Sequence, residues 1–245
     1  MNTQLNERSK QVRRDTIKLS KANGGYHYGG CFSTVEILIC LYDEILSAED
    51  KFILSKGHAC WPYYVLLREK GLKPKLEGHP CLDEKNGVHF TTGSEGHGFP
   101  AGVGMALARK IQGKPGRIYV LMGDGECQEG TTWESLLTAP FRRLNNLTVI
   151  VDFNGIQGAG FVKNILPVHG LGAVAVILGW SVAEINGHDN DEILEALKKN
   201  ETGIPRLIIA YTIKGKGVSY MQNDPSWHAK WVDGELEKQA YEELK

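Results

Sequence analysis

Short apolar runs alternate with segments of helical periodicity along most of the chain. Two of the runs, RIYVLM and LTVIV, are almost continuously apolar. Runs of this kind between helices are typical of a parallel sheet that helices cover on both faces. We therefore predict an α/β fold with a doubly wound, mainly parallel sheet. The predicted strands are 52–55, 117–122, 147–151, 180–185 and 206–212.

Helical signals fill the segments before and between these strands. The first helix is expected to end at the glycine pair 24–25, because glycine commonly follows a helix end. A capping box of Ser33 and Glu36 is expected to begin the second helix. Pro140 is expected to kink the helix in which it lies. The predicted helices are 3–22, 34–46, 61–70, 100–111, 131–144 and 191–199.

Composition excludes several classes of protein. Of the 245 residues, 42% are hydrophobic and 23% charged, and the net charge is −1, as in ordinary globular proteins. This balance argues against binding to nucleic acid or to an anionic membrane. No apolar run approaches the ~18 residues that span a bilayer, and the polar N-terminus lacks the core of a secretory signal. Five cysteines without a CxxC pair argue against a disulfide framework and favour the cytoplasm.

Two strand ends carry the clearest chemistry. Gly123-Asp124-Gly125 ends one strand, and Asn154 follows the next, thirty positions after Asp124. That spacing fits one intervening helix, and ligands of parallel α/β folds bind at the carboxyl ends of strands. A carboxylate, an amide oxygen and a carbonyl suit a hard cation with water and phosphate ligands. GDG alone is more often a simple turn, but the spaced asparagine favours the cation site.

The segments GDGECQEGTTWE and VDFNGIQG resemble the thiamine diphosphate motif. Nearly the whole chain resembles the diphosphate-binding domain of a transketolase, specifically the N-terminal subunit of a split transketolase. The resemblance implies the thiamine diphosphate-binding fold and a single diphosphate-binding domain over residues 1–245. The other segments that carry it are YHYGG (26–30), LSKGH (54–58), GHP (78–80), TTGS (91–94), GVGMA (102–106) and WH (227–228).

The resemblance also implies a site for thiamine diphosphate and a divalent metal, Mg²⁺ or in its place Ca²⁺ or Mn²⁺. The metal ligands are the side chains of Asp124 and Asn154 and the main-chain carbonyl of Ile156. The expected cofactor-binding residues are His58, Gly93, Ser94, Glu95, Gly96, Gly123, Asp124, Gly125, Glu126, Asn154 and Ile156.

Four histidines match the active-site histidines of the family. They are His27, His58, His79 and His228, and they are expected to bind oxygens of the donor sugar and to move protons, which suits a group with a pKa near neutrality. His89 and His97 lie near His79 in sequence and remain alternatives to it. Two others, His169 and His188, are interpreted as structural.

The implied reaction is transfer of a two-carbon ketol unit from a ketose, or a ketose phosphate, to an aldehyde acceptor. It needs a pyrimidine-binding domain with a catalytic glutamate, and the roughly thirty residues after the last strand are too few for one. We therefore expect a second polypeptide with that domain and the C-terminal domain, in an α₂β₂ heterotetramer. Glu129 and Glu134 match acidic residues of the family's dimer interface, although Thr131 and Glu134 also form a capping box.

Several residues depart from the family pattern. Glu95 stands where leucine is usual next to the cofactor rings, and a carboxylate there is costly if it is buried and unpaired. Tyr28 and Phe32 are expected to fill space near the donor sugar, and the apolar segment 168–178 to pack on the partner. These departures favour an atypical donor in a specialised pathway. Two alternatives remain: a 2-oxo acid dehydrogenase α-type subunit, and a non-catalytic regulatory or scaffold paralogue.

Overall fold

A five-stranded parallel sheet forms the centre of the structure. The structure is a computed structural model, and it describes residues 6–199 and 203–245. Its strands are β1 (Lys51–Leu54), β2 (Ile118–Gly123), β3 (Leu147–Phe153), β6 (Ser181–Asn186) and β7 (Arg206–Tyr211), while β4 (Ile156–Gln157) and β5 (Gly160–Phe161) form a separate antiparallel pair. The spatial order is β1-β2-β3-β7-β6. All five predicted strands are therefore present, each within two residues of its predicted ends.

Helices cover both faces of the sheet, so the predicted α/β class is confirmed. They are α1 (Glu7–Ala22), α2 (Tyr28–Ser33), α3 (Val35–Ile39), α4 (Cys60–Glu69), α5 (Gly98–Gln112), α6 (Gly130–Phe141), α7 (Val162–Ile165), α8 (Leu171–Leu178), α9 (Asn190–Lys198) and α10 (Gly234–Glu243). No helix within these described ranges is long and apolar enough to cross a membrane.

Alternate residues of each strand enter different hydrophobic cores. In β2, Ile118, Val120 and Met122 pack into the core beneath α5, α6 and α8, while Tyr119 and Leu121 face the core beneath α1, α3 and α4. Both faces of the strand are therefore buried, which explains its continuously apolar sequence. On the first face, a Cβ on Gly102 would lie 2.4 Å from Cγ2 of Val120, so glycine lets α5 approach the sheet closely.

The predicted second helix, 34–46, is present over residues 35–45, but it changes geometry along its length. It begins as α3 and continues as a π-helical segment, Cys40–Ile45. The predicted capping box is wrong, because Ser33 and Glu36 turn inward to long-range partners. The Ser33 hydroxyl donates to Asp152 at 2.6 Å, and the Glu36 carboxylate accepts from Arg13 at 2.7 Å.

Two other helix predictions need smaller corrections. Residues 3–5 of the predicted first helix lie outside the described residues, and α1 runs from Glu7 with Asn6 as its N-cap. Pro140 lies in the last turn of α6, which ends at Phe141, three residues before the predicted end. The Thr131 hydroxyl donates to the carbonyl of Gly96 at 2.6 Å, so Thr131 and Glu134 form no capping box.

Candidate active site

The carboxyl ends of four parallel strands meet at one edge of the sheet. Lys56 and His58 follow β1, Asp124 follows β2, Asn154 follows β3, and Lys214 lies three residues after β7. Because the strands are parallel and in register, these segments lie side by side. All five residues line one cleft of about 290 Å³. The predicted convergence of the two chemistry-bearing strand ends is therefore present, and two further strand ends join it.

Asp124 joins the end of β2 to the turn after β3. Its Oδ1 accepts a hydrogen bond from the amide of Gly125 at 2.8 Å, and its Oδ2 accepts one from the amide of Gly155 at 2.5 Å. Burial, together with the nearby charge of Asp152, raises the pKa of the Asp124 carboxyl to about 6. A divalent cation beside this carboxylate would oppose that rise, because a nearby positive charge favours the ionised form.

The oxygen donors at this edge fit a hard divalent cation. Oδ1 of Asn154 accepts from the amide of Ile156 at 3.0 Å, which holds the amide group in place. With the Asp124 carboxylate and the Ile156 carbonyl, the set is composed of oxygen, as Mg²⁺ and Ca²⁺ prefer. Residues 6–199 and 203–245 hold no group of three or more His, Cys, Asp or Glu side chains that could bind a metal. An ion here would therefore need further oxygen ligands from water and a diphosphate.

The backbone of the GDG turn leaves no space for a side chain on one flank. A Cβ on Gly125 would lie 2.8 Å from Cβ of Gln157, which also lines the cleft. A glycine here brings the main chain of the turn close to the segment after Asn154. The sequence predicts that a diphosphate lies against this main chain, and the absence of a side chain would permit that contact.

Two buried lysines complete the cleft, and neither was predicted from the sequence. Lys56 forms a buried ion pair with Asp152, a carboxylate that also accepts from Ser33 and from Nδ2 of Asn154 at 3.0 Å. Burial alone would raise the pKa of the Asp152 carboxyl, but the Lys56 charge outweighs it and holds the pKa below its usual value. The pair is therefore ionised and supports the amide group of Asn154.

Lys214 is the second lysine, and it contacts a predicted metal ligand directly. Its Nζ donates to the Ile156 carbonyl at 3.0 Å and lies 3.0 Å from Nδ1 of His228. Burial and the Lys56 charge lower the pKa of its ammonium to about 8, so it is largely protonated at neutral pH. The available sequence signal was the glycine cluster around residues 213–217, which directly follows an apolar strand.

The four predicted histidines lie together. The ring of His27 is centred 5.5 Å from that of His58, 6.4 Å from His79 and 5.5 Å from His228, and His58 lies 5.0 Å from His228. Burial, with positive charge nearby, lowers the pKa of His27 to about 4 and that of His228 to about 3. These two rings are therefore neutral at pH 7, and each offers both a donor and an acceptor nitrogen.

The alternatives to His79 lie elsewhere. His89 packs at the start of β1, with Nδ1 3.1 Å from the amide of Phe52, and His97 is exposed, with Nδ1 3.0 Å from the carbonyl of Glu95. His188 is bound to Glu36 at 2.9 Å, and His169 lines a neighbouring cavity of about 240 Å³. His79, whose ring is centred 6.4 Å from that of His27, is therefore the member of this group that lies beside the other three predicted histidines.

The loop 93–98 closes one side of the cleft. A Cβ on Gly93, whose φ is +136°, would lie 3.1 Å from the His79 ring, so glycine permits both the conformation and the contact. The amide of Gly96 donates to the Glu126 carboxyl at 2.9 Å, and burial raises the pKa of that carboxyl to about 7. Ser94 is exposed, while Glu95 reaches back to Nδ1 of His58 at 3.1 Å.

The expectation that Tyr28 and Phe32 fill space near the donor sugar is wrong. Both side chains are almost completely buried in the core beneath α1, and the Tyr28 hydroxyl is 2.9 Å from that of Ser20. Helix α2 turns these aromatic rings away from the cleft and towards the α1 side of the sheet. They contribute to packing and do not line the site.

Comparisons with known proteins agree with this arrangement. Residues 10–240 match the family described as transketolase, thiamine diphosphate binding domain. The chain is similar to an apulose-4-phosphate transketolase subunit of Actinobacillus succinogenes, with 38% identity over 99% of this chain and 96% of that protein. It is also similar to the 6-deoxy-6-sulfo-D-fructose transketolase subunit SqwG of a Clostridium species, with 34% identity over 98% and 96% of the two chains.

A solved structure supports the same relationship. The crystal structure of transketolase from Campylobacter jejuni superposes with a TM-score of 0.85 and 28% sequence identity. The match covers 100% of this chain but only 43% of that one. The chain therefore corresponds to one part of a full-length transketolase and to nearly all of the subunit-type relatives.

Proposed function

The chain belongs to the transketolase family, whose thiamine diphosphate-binding domain matches residues 10–240, and we propose that the cleft described above is the diphosphate half of its active site. It is a transferase subunit, and transketolases move a two-carbon ketol unit from a ketose to an aldehyde. The observation that carries the proposal is the convergence of Asp124, Asn154 and the Ile156 carbonyl with the histidine cluster. Neither a dehydrogenase nor a scaffold function is favoured, because the relatives are transketolases.

Asp124, Asn154 and the Ile156 carbonyl would hold Mg²⁺, or Ca²⁺ or Mn²⁺ in its place. When bound, thiamine diphosphate supplies the electron sink for breaking the carbon–carbon bond, and the metal neutralises its diphosphate. A divalent cation on the Ile156 carbonyl would repel the Lys214 ammonium, which is then available for an anion. Glycines 93, 96, 123 and 125, with Ser94, Glu95, Glu126 and His58, would complete the cofactor site.

The histidine cluster would act on the sugar. His27, His58, His79 and His228 would bind donor oxygens and hold or move protons at their ring nitrogens. The low pKa values of His27 and His228 support binding of sugar hydroxyls, because each neutral ring offers one donor and one acceptor nitrogen. Proton transfer by these two rings would need their pKa values to rise in the assembled site, because rings with pKa values this low are weak bases at neutral pH. Neutral rings also avoid repulsion with the Lys214 ammonium beside them.

We propose that the pyrimidine-binding and C-terminal domains, with the catalytic glutamate, lie on a second polypeptide. The names of the two subunit-type relatives support a partner chain. Exposed apolar side chains on α6 and α8 support an interface: Leu137 is 58%, Phe141 78%, Val176 57% and Ile177 83% exposed. An α₂β₂ heterotetramer with closed two-fold symmetry would bury them, and Glu129 and Glu134 belong to the same region.

The substrate is proposed to be an atypical ketose of a specialised pathway. The two subunit-type relatives are named for apulose-4-phosphate and 6-deoxy-6-sulfo-D-fructose, and both match nearly the full chain. Steady-state kinetics with these donors and with xylulose 5-phosphate test this substrate class. A clearly higher kcat/KM for xylulose 5-phosphate would exclude it. The five cysteines form no disulfide, which supports the reducing cytoplasm as its location.

Native mass spectrometry tests the assembly. The chain would be purified from its own cells with magnesium and thiamine diphosphate present throughout. We expect a four-chain mass that contains a second polypeptide and two cofactors. A lone chain or homodimer without cofactor, from an extract that preserves other complexes, would contradict the proposal.

A further inference from the structure

Glu95 and His58 form a contact between two side chains of the cleft. Oε1 of Glu95 lies 3.1 Å from Nδ1 of His58. The imidazole is 15% exposed and the carboxylate 39% exposed, so the contact lies at the boundary between the protein and the cleft. Glu95 stands where leucine was expected, and a leucine at this position could make no hydrogen bond to the ring.

The contact restricts the protonation of His58. Burial raises the pKa of the Glu95 carboxyl, and the Lys56 charge acts against that rise. In its ionised form the carboxylate only accepts hydrogen bonds, so Nδ1 must carry the proton that the contact requires. Burial and the charges of Lys56 and Lys214 hold the pKa of His58 well below its usual value, so the ring has a single proton at neutral pH. That proton is then on Nδ1, and Nε2 has a free lone pair.

The other side of the ring is held by packing. A Cβ on Gly30 would lie 3.0 Å from Nε2 of His58, so a side chain there would push the ring towards Glu95. The ring is therefore held between the Glu95 carboxylate and the main chain of α2, with His228 and His27 nearby. A carboxylate that orients a histidine and selects its tautomer is a general means of preparing the second nitrogen for chemistry.

We propose that Glu95 is a positioning residue that holds neutral His58 in the Nδ1–H tautomer. His58 thereby keeps Nε2, the nitrogen on the Gly30 side of the ring, as a hydrogen-bond acceptor. With leucine in its place, the ring would be free to present Nε2–H, a donor. The proposal rests on the proposed function of the cleft, but the tautomer is a property of the protein without ligands.

The test is the tautomeric state of His58 in the full chain labelled with ¹⁵N in its eight histidines. Long-range ¹H–¹⁵N correlation spectra separate protonated from unprotonated ring nitrogens, and the signal that disappears in His58→Asn identifies the ring. At neutral pH we expect a protonated Nδ1 and an unprotonated Nε2 in the wild type. In Glu95→Leu the Nδ1 signal is expected to move towards the unprotonated range.

Two further variants make the test specific. Glu95→Gln keeps an oxygen that can accept from Nδ1–H and is expected to retain most of the wild-type pattern. Glu129→Gln removes a carboxylate that lines the same cleft and is expected to leave His58 unchanged. An Nε2–H tautomer in the wild type, or an unchanged His58 spectrum in Glu95→Leu, would overturn the proposal. These spectra need no cofactor, partner or activity, so they can fail while the proposed function holds, and the reverse.

Discussion

Lys214 donates a hydrogen bond from Nζ to the carbonyl oxygen of Ile156, at 3.0 Å. The same ammonium lies 3.0 Å from Nδ1 of His228, so one lysine joins the proposed metal site to the histidine cluster. It is almost completely buried, and its carbon chain packs near Gly29, where a Cβ would lie 3.1 Å from Cγ of the lysine. This position places Lys214 between the proposed metal site and the histidine cluster.

Lys214→Ala is expected to weaken binding of thiamine diphosphate by about 10- to 100-fold. A hydrogen bond between charged groups contributes about 1.5–3 kcal/mol, and 1.4 kcal/mol corresponds to tenfold in affinity. Calorimetric titration of the assembled protein with the cofactor, at saturating Mg²⁺, measures the change. Lys230→Ala is the matched control, because Lys230 is exposed over the Trp227 ring and lies outside the cleft. Equal affinities for both variants would contradict a role for Lys214 in binding the diphosphate.

Asp124→Asn is expected to abolish the dependence of cofactor retention on divalent metal. The amide keeps an oxygen for one of the two backbone amides that Asp124 binds but loses the negative charge that attracts the ion. Metal affinity should fall by at least the ~10- to 100-fold that loss of an outer partner of a metal site causes. Retention of thiamine diphosphate after gel filtration, with Mg²⁺ or with EDTA, measures this.

The control for this prediction is Asp233→Asn, which removes an exposed carboxylate that makes no cap hydrogen bond. It should retain cofactor in Mg²⁺ and lose it in EDTA, like the wild type. If Asp124→Asn behaved in the same way, Asp124 would not be a ligand of the metal. Chelation alone should release the cofactor from the wild type, because the metal neutralises the diphosphate.

Most of the sheet could be predicted from the sequence because local patterns determine it. Residues of β2 and β3 enter cores on both faces, so both strands are mostly apolar, with Thr148 and Asp152 as the polar residues of β3. The GDG turn and Asn154 could be predicted because parallel strands must place their ends together. The two lysines of the cleft could not, because Lys56 and Asp152 are 96 positions apart and no local periodicity connects them.

The second helix shows how a local pattern can give a wrong prediction. The spacing of Ser33 and Glu36 matches a capping box, but both side chains have stronger partners in the tertiary structure. The Glu36 carboxylate accepts from Nη1 and Nη2 of Arg13, at 2.7 and 2.9 Å, and meets Nδ1 of His188 at 2.9 Å. Nε2 of His188 accepts from the amide of Ile213 at 2.8 Å. The long-range hydrogen bonds of this buried network therefore outweigh the local capping interaction at the helix start. The network extends to Ile213, the residue before Lys214.

Glu36→Gln is expected to lower the free energy of unfolding by about 3–5 kcal/mol. Arg13 is completely buried and Glu36 almost so, and removal of one charge leaves the other buried without compensation. Urea denaturation of the wild type and the variant measures the loss. Glu69→Gln is the control, because its partner Arg8 and Glu69 itself are each 36% exposed, and such pairs contribute up to about 1 kcal/mol. A similarly small loss in both variants would show that the buried pair adds no more stability than the exposed one.

The stabilisation by Glu36 should also depend on pH in a defined direction. Burial acts to raise the pKa of its carboxyl, but the Arg13 charge and the hydrogen bonds from His188 and Arg13 outweigh it and lower the pKa to about 2. Because the folded pKa lies below the ordinary value of 4.5, the carboxylate stabilises the fold fully above pH 4.5 and loses this effect as the pH falls towards 2.

The difference in unfolding free energy between the wild type and Glu36→Gln should therefore be constant near neutral pH and shrink below pH 4.5. Urea denaturation of both proteins at a series of pH values measures it, with Glu69→Gln as the variant whose difference should stay small throughout. A difference as large at pH 3 as at pH 7 would mean that the Glu36 carboxylate is not the group that supplies this stability.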